Sequence, residues 1–133
     1  MTLVIDASVA VKWILPEPGS NEAAALRAPG AELIAPSLVV AELGSALWKK
    51  HLRSEIARRD VVSALRLAVS QFTGMVPAES LAESALEFAL NVRHPVYDCF
   101  YIALAAREKA PLVTADENMI AAARKAKIKV RRI

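Results

Sequence analysis

Three short apolar runs constrain the fold of this chain more than any other feature of its sequence. They are Leu3-Val4-Ile5, Leu33-Ile34-Ala35 and Leu112-Val113-Thr114. Strands of a parallel sheet are buried on both faces, so they read as continuous apolar runs and do not alternate with polar residues. Longer segments with helical character separate the three runs. Because parallel strands need long crossover connections, usually helices, the pattern predicts an α/β fold with a short, mainly parallel sheet flanked by helices.

Prolines, glycines and capping residues set the expected limits of the helices. The expected helices cover residues 8–15, 21–28, 38–52, 55–72, 79–92, 97–109 and 117–126. Ser20 is expected to cap the second helix and Gly74 to end the fourth. An extended piece is expected at Met75–Val76, and a last strand at Ile128–Arg131 alternates cations with apolar residues like a half-exposed edge strand. Since no repeat or linker interrupts the pattern, residues 1–133 are predicted to form one domain.

The composition narrows the class of protein. The 133 residues are 55% hydrophobic and 23% charged, which indicates a globular chain that is too apolar to be disordered. The net charge of +3 permits a polyanionic partner without requiring one. A single cysteine, Cys99, excludes an intrachain disulfide, fits a reducing cytoplasm and is expected to be an inert core thiol. No signal peptide or bilayer-spanning stretch is expected, so we predict a cytoplasmic protein that does not enter a membrane.

Two acidic residues follow predicted strands. Asp6 ends the first apolar run, and Asp116 lies just past the strand at 112–114. The carboxyl ends of the strands are where an open parallel sheet gathers its ligands. Either acid taken alone is more simply explained as the N-cap of the helix that follows it.

Two further acids, Glu42 and Asp98, lie on the inward faces of predicted helices. Each shares its face with apolar or small residues one turn away, such as Leu38 for Glu42 and Ile102 for Asp98. A lone acid that faces the core is costly unless it is paired or bound to a metal. An ion pair with Lys or Arg, or a helix rotated towards solvent, would explain either residue without a functional role.

Taken together, the four acids predict a site for a cation. They are Asp6, Glu42, Asp98 and Asp116. Two unneutralised carboxylates roughly 5 Å apart repel by about 3 kcal/mol at an effective dielectric constant near 20. An all-oxygen set suits Mg²⁺ or Mn²⁺, and the sequence has no Cys/His cluster that would suit zinc. Because such an ion polarises a phosphodiester and lowers the pKa of a bound water, the expected chemistry is hydrolytic phosphoryl transfer.

The acids belong to segments with a characteristic order along the chain. The segments are Val4–Ser8, Val11–Trp13, Ala35–Pro36 with Ala41–Leu43, His94–Asp98 with Tyr101–Ala105, and Leu112–Asp116. In this order they resemble the PIN domain, and within that family the VapC-type toxins of bacterial and archaeal toxin–antitoxin systems. The resemblance extends over essentially the whole chain. It implies a PIN-like three-layer fold for a single PIN-like domain.

The resemblance also implies an activity: a Mg²⁺-dependent endoribonuclease that serves as the toxin of a type II toxin–antitoxin system. The implied acidic set is Asp6, Glu42, Asp98 and Asp116. Within it Asp6 and Asp98 would be the direct metal ligands, with Ser8 and Thr114 as supporting hydroxyls. An RNA substrate, a cognate antitoxin protein and a homodimer are implied as partners. One position departs from the family pattern, since many relatives carry Asn where this chain has Ser45.

Three other interpretations remain open at this point. A phosphoacceptor receiver domain also gathers acids at strand ends, but it needs an acidic pair where this chain has Ile5 before Asp6. A housekeeping or structure-specific PIN-type nuclease would act on DNA or RNA without an antitoxin. A catalytically silent interaction module would keep only the fold.

Several conspicuous residues have ambiguous roles. Residues 124–132 contain six cations and no acid, which would suit either a phosphate backbone or a solvated edge strand. A second basic cluster in residues 49–59 carries the same ambiguity. Trp13 and Trp48 are expected in the core or in an interface. His94 is not expected to act as a general base, because nothing in its sequence context favours that role.

Overall fold

A five-stranded parallel sheet forms the centre of the computed structural model, which describes residues 1–133. Its strands are β1 Thr2–Ile5, β2 Glu32–Pro36, β3 Gly74–Val76, β4 Leu112–Thr114 and β5 Val130–Arg132. They lie in the order β3-β2-β1-β4-β5, and every neighbouring pair is parallel. The central strand β1 pairs Leu3 with Leu33 of β2 and Ile5 with Val113 of β4. Strands β1 and β4, more than 100 residues apart along the chain, therefore lie side by side in the middle of the sheet.

Seven helices flank the sheet. They are α1 Ala7–Ala10, α2 Ser20–Ala25, α3 Val39–Leu52, α4 Arg58–Ser70, α5 Ala82–Val92, α6 Val96–Glu108 and α7 Glu117–Lys125. Short 3₁₀ turns occupy Val11–Trp13 and Ala78–Ser80. The predicted α/β fold with a parallel sheet flanked by helices is confirmed. None of these helices combines the length and the apolar character that crossing a membrane requires.

Helix α6 forms much of the core. It packs against α5 on one side and against β1 and β2 on the other. Its residues Cys99 and Tyr101 to Ala105 are all buried, as expected of a helix that is apolar around most of its circumference. The predicted core location of Cys99 is confirmed, because the residue is fully buried. Since α6 also carries Asp98, the helix that fills the core presents an acid at one edge of the sheet.

The predicted starts of the second and the fourth helix are wrong. Gly19, with φ at 92°, occupies the N-cap position of α2, and Ser20 is already the first helical residue. The Ser20 hydroxyl instead accepts from the backbone N–H of Glu17 and donates to a backbone carbonyl. The fourth helix begins at Arg58 and not at residue 55, because the chain first turns at Ser54 with φ at 60°.

Other limits also differ from the prediction. Helix α5 starts at Ala82 and not at residue 79, since a 3₁₀ turn covers Ala78–Ser80, and α2 ends at Ala25 and not at residue 28. The first helix is shorter than expected, since α1 ends at Ala10 and continues only as a 3₁₀ turn.

Gly74 does not end α4; it begins β3, where it pairs with Ile34. The last strand starts at Val130, after a turn in which Lys127 has φ at 61°. Its predicted position at the edge of the sheet is confirmed.

The two tryptophans have different environments. Trp13 is partly buried, donates its indole N–H to the carbonyl of Ala23 at 2.8 Å and packs edge-on against Phe72. Trp48 is 57% exposed on α3 and is not a core residue. Trp48 was expected either in the core or in an interface, and its exposure shows that the core prediction is wrong.

Candidate active site

Asp6 is held where β1 and β4 end side by side. Its backbone N–H donates to the carbonyl of Val113 at 3.0 Å. Its Oδ2 accepts hydrogen bonds from the hydroxyls of Ser8 at 2.6 Å and of Thr114 at 2.8 Å. Burial raises the pKa of the Asp6 carboxyl, and the two hydroxyls act in the opposite direction. Ser8 and Thr114 thus contact the carboxylate that they were predicted to support.

Glu42 reaches the same edge from the first turn of α3. Its Oε1 accepts the phenolic proton of Tyr101, which is fully buried in α6, at 2.6 Å. The pKa of Glu42 is raised to about 7, chiefly by burial and also by the negative charges of Asp6 and Asp98, although the Tyr101 hydrogen bond acts in the opposite direction. In the metal-free protein, Glu42 therefore exchanges its proton near neutral pH.

Asp98 lies in the first turn of α6 and has a histidine partner. The Nε2 of His94, in the connection between α5 and α6, lies 2.6 Å from Asp98 Oδ2. The side chains are 14% exposed for His94 and 25% exposed for Asp98. No Lys or Arg lies within salt-bridge distance of Asp98. The ion pair with Lys or Arg that would explain this acid as structural is absent.

Asp116 caps a helix and also lines a cleft. Its Oδ1 accepts from the backbone N–H groups of Asn118 at 2.8 Å and Met119 at 3.3 Å, at the start of α7. The N-cap explanation is thus correct for Asp116, whereas the Asp6 side chain makes no capping bond to α1. Asp116 shares an open cleft of about 400 Å³ with His94 and Asp98, which we call the acidic cleft.

The structure brings the four predicted acids to one edge of the sheet, three of them as a close group and the fourth across a cleft. Asp6, Glu42 and Asp98 lie close together, since the charge of Asp98 raises the pKa of Asp6 and the charges of Asp6 and Asp98 raise the pKa of Glu42. Asp116 joins them through the acidic cleft, where it faces Asp98. None of the four pairs with Lys or Arg. The partners that hold them are hydroxyls, an imidazole and backbone N–H groups, so their negative charge is not balanced by a neighbouring Lys or Arg.

The donor set has the chemistry that a hard divalent cation requires. No three His, Cys, Asp or Glu side chains converge closely enough in this structure to hold a metal ion by themselves. Mg²⁺ does not need such a group, because it usually keeps several waters and is bound through one or two carboxylates. The carboxylates of Asp6 and Asp98 could supply such oxygen ligands. The residues present therefore fit a hydrated Mg²⁺ or Mn²⁺ ion.

Sequence reasoning missed Tyr101 and set His94 aside, although both contact an acid of the site. The available signal was helical spacing, since His94 lies four residues before Asp98 and Tyr101 three residues after it. That spacing puts Tyr101 within one turn of Asp98 on α6, whereas His94 lies in the connection that precedes the helix. Ser45, which stands where relatives often carry Asn, is exposed on α3.

Comparisons with known proteins agree with the resemblance seen in the sequence. Residues 3–125 match the PIN domain. Ribonuclease VapC3 of Pyrobaculum aerophilum is 33% identical over 122 residues, which cover 90% of this chain and 92% of that protein.

Two solved structures have a similar fold at low sequence identity. VapBC2 from Rickettsia felis, bound to a DNA fragment from its promoter, aligns with a TM-score of 0.73 and 18% identity over 99% of this chain and 98% of its own. VapC20 from Mycobacterium tuberculosis, a toxin that cleaves the sarcin-ricin loop, aligns with a TM-score of 0.70 and 17% identity over 90% and 94%. With one family matching nearly the full length and a VapC relative above 30% identity, the chain belongs to the PIN-domain family and, within it, to the VapC-type proteins.

Proposed function

We propose that this protein is a Mg²⁺- or Mn²⁺-dependent endoribonuclease and the toxin of a type II toxin–antitoxin system. The observation that carries the proposal is the grouping of Asp6, Glu42 and Asp98 at the carboxyl edge of the sheet without a Lys or Arg to neutralise them. RNA as the substrate is supported by the relatives, since VapC3 is named a ribonuclease and VapC20 a toxin that cleaves the sarcin-ricin loop.

The side chains of the site divide the work of hydrolysis. A divalent cation, when bound, would polarise the scissile phosphodiester and lower the pKa of a coordinated water. Ser8 and Thr114 fix the orientation of Asp6 through its Oδ2. Glu42 is the carboxyl that we assign to proton transfer, because burial and the charges of Asp6 and Asp98 raise its pKa in the metal-free protein. With a cation bound, that pKa would fall again, so Glu42 would then act as the acceptor of a proton.

An inhibitory antitoxin is part of the proposal. Its expected partner surface is the end of α3, where Trp48 is 57% and Leu52 61% exposed. Exposed apolar side chains grouped in this way are typical of partner-binding surfaces. An arginine of the antitoxin would bridge carboxylates of the site, because a guanidinium binds carboxylates through two parallel hydrogen bonds. The VapBC2 complex supports such a partner.

A homodimer is the other part of the proposed assembly. On α5, Leu86 is 53% and Leu90 71% exposed, one turn apart on the same face of the helix. Two copies of this face would cover each other across a two-fold axis, as in most homodimers.

Cleavage of defined substrates tests the activity directly. Purified protein is incubated with tRNA, ribosomal RNA and single-stranded DNA, each with Mg²⁺ or with EDTA. We expect cleavage of RNA only with the metal, leaving 5′-phosphate and 3′-hydroxyl ends, and no cleavage by the Asp98→Asn variant. Cleavage of DNA in preference to RNA would support the structure-specific nuclease instead, and no cleavage of any substrate would support the silent module.

Expression in cells tests the role as a toxin. The chain expressed alone should arrest growth, and co-expression with the neighbouring gene should restore it and yield a stable complex. Normal growth at high expression of an enzyme that is active in vitro would support a housekeeping nuclease.

A further inference from the structure

Two open clefts continue from the acidic cleft along the side of the molecule. The acidic cleft shares Arg93 and Lys125 with a second cleft of about 510 Å³, between the ends of α5 and α7. The second cleft shares Lys127 with a third, of about 460 Å³, beside the end of α6. The three linings therefore form one continuous surface. It runs from Asp98, near the start of α6, to Lys109, just past its end.

This surface carries unpaired positive charge. Its cations, which we call the cationic track, are Arg93, Lys109, Lys125, Lys127 and Lys129. All five are exposed, none pairs with a carboxylate, and no acidic side chain lines the second or the third cleft. By contrast, Arg132 from the same basic segment of the sequence is bound to Glu117. Only part of that segment thus joins the track.

Three of the track cations stand where a glycine would be less strained. Arg93, Lys109 and Lys127 have φ values of 55°, 50° and 61°, in the left-handed region, at or just past the ends of α5, α6 and α7. Glycine is the usual residue at such positions, because a Cβ atom is disfavoured there. A cation gains some stability from the helix dipole, which offsets part of the strain. Of the four left-handed residues other than glycine, only Ser54 lies outside the track.

We propose that the cationic track binds the phosphate backbone of a single RNA strand where it leaves the acidic cleft. The inference rests on the proposed function and specifies how its substrate is held. The phosphates that flank the scissile bond would be repelled by the four acids, so they need cations beside the cleft. From Asp98 to Lys109 the track extends for about 16 Å, at the 1.5 Å rise per residue of a helix, which is too long for one phosphate.

The track is suited to the backbone more than to the bases. Phe88 is the only Phe, Tyr or Trp side chain along the three clefts, so successive bases have no stacking platform. Lys and Arg contacts to phosphates carry no sequence information by themselves. The track therefore sets affinity for RNA and its salt dependence, with little effect on the choice of cleavage sequence.

An RNA-binding measurement tests the proposal. The probe is a fluorescent single-stranded RNA of 20 nucleotides, and its binding is followed by fluorescence anisotropy in EDTA over a range of NaCl concentrations. The principal variant combines Arg93→Gly, Lys109→Gly and Lys127→Gly. A second, without glycine, combines Lys125→Gln, Lys127→Gln and Lys129→Gln. The matched control combines Lys49→Gln, Arg58→Gln and Arg66→Gln, which removes three exposed, unpaired cations outside the three clefts.

Both track variants should bind the RNA about 10-fold or more weakly than the control at low salt, because each loses three phosphate contacts. The slope of log K against log salt concentration should become shallower by about 2, at roughly 0.7 per phosphate of a single strand. The melting temperature of the glycine variant should stay the same or rise, since the substitutions relieve backbone strain. Weaker RNA binding by a variant whose melting temperature is not lowered cannot be caused by misfolding.

Track variants that bind RNA with the affinity and salt dependence of the control would overturn the inference. If the wild-type protein still cleaves RNA with Mg²⁺ in that case, the proposed function stands and only the track is wrong. A wild-type protein that neither binds nor cleaves RNA would remove the proposed function as well. Track variants that keep RNA affinity but lose the antitoxin complex would assign this surface to the protein partner, which also overturns the inference.

Discussion

The phenolic hydroxyl of Tyr101 donates to Oε1 of Glu42 at 2.6 Å, and this single hydrogen bond joins α6 to α3 at the candidate active site. Tyr101 is fully buried, so its ring is fixed by the core. The hydrogen bond also favours the charged form of Glu42 and lowers a pKa that burial raises. One phenol therefore controls both the position and the charge of the carboxyl group.

Replacing Tyr101 with Phe should weaken both effects. We expect Tyr101→Phe to lower the free energy of unfolding by about 1–3 kcal/mol, because a partly buried carboxyl loses its partner. The pKa of Glu42 should rise further and RNA cleavage at pH 7 should fall. Urea denaturation and a pH–rate profile measure these changes. Tyr97→Phe is the control, since Tyr97 is 69% exposed, and equal behaviour of the two variants would contradict the role of Tyr101.

Asp6→Asn should separate catalysis from stability. The variant should lose RNA cleavage, yet its melting temperature in EDTA should be equal to or higher than that of the wild type. The reason is that burial and the charge of Asp98 both disfavour the charged form of Asp6. Asp60→Asn, at an exposed position of α4, is the control and should keep full activity. A clear loss of stability in Asp6→Asn would mean that the carboxylate is a structural hydrogen-bond partner.

The raised pKa of Glu42 predicts how the stability of the metal-free protein depends on pH. With its pKa moved from 4.5 to about 7, the protonated carboxyl contributes stability that is complete below pH 4.5 and is lost as the pH rises through 7. The wild type should therefore lose stability between pH 5 and pH 8 relative to Glu42→Gln, which cannot ionise. Urea midpoints in EDTA measure the difference. The raised pKa of Glu42 is ruled out if the stability of the wild type and that of Glu42→Gln depend on pH in the same way. Glu83→Gln, at an exposed position of α5, controls for the effect of a Glu-to-Gln substitution.

Mg²⁺ should stabilise the folded protein through Asp6 and Asp98. A ligand at 100 times its dissociation constant adds about 2.7 kcal/mol to the free energy of unfolding, which corresponds to several degrees in melting temperature for a domain of this size. Differential scanning calorimetry of the wild type with and without Mg²⁺ measures the shift. Asp98→Asn should show little of this shift in melting temperature, whereas the control variant Asp60→Asn should show the full shift. The metal assignment fails if the wild type shows no shift at saturating Mg²⁺.

Charged residues on the exposed face of α5 should disrupt the proposed homodimer. Leu86→Glu with Leu90→Glu would bury two like-charged pairs across a two-fold axis, so light scattering should report a monomer. Leu67→Glu, at a 51% exposed position of α4, is the matched control and should remain dimeric. A wild type that is already monomeric at high concentration would exclude this interface.

The sequence predicts the sheet well because short apolar runs carry the signal of buried parallel strands. The strand at 112–114 has the predicted limits, and strand-end acids such as Asp6 follow from the topology alone. Local turns were less predictable. Gly74 carries the same helix-ending signal whether it stops a helix or starts a strand, and only its pairing with Ile34 decides between them.

The partners of the acids depend on how the helices are rotated in the folded protein. The contact between Tyr101 and Glu42 spans 59 residues of sequence, so no local pattern contains it. His94 lies close to Asp98 along the chain, but its role depends on the turn at Arg93, whose left-handed φ of 55° is not evident from the residue type. The candidate site was therefore predictable as a set of acids but not as a hydrogen-bonded assembly.

The hydrogen bond from Thr114 to Asp6 closes a loop of 108 residues, which has a consequence for synthesis in the cell. Strand β1 is made long before its neighbour β4 and the acid at position 116. A nascent chain that lacks β4 has no complete site, since half of the central strand's pairing is missing. The proposed nuclease would then stay inactive during synthesis until β4 has been made and has paired with β1.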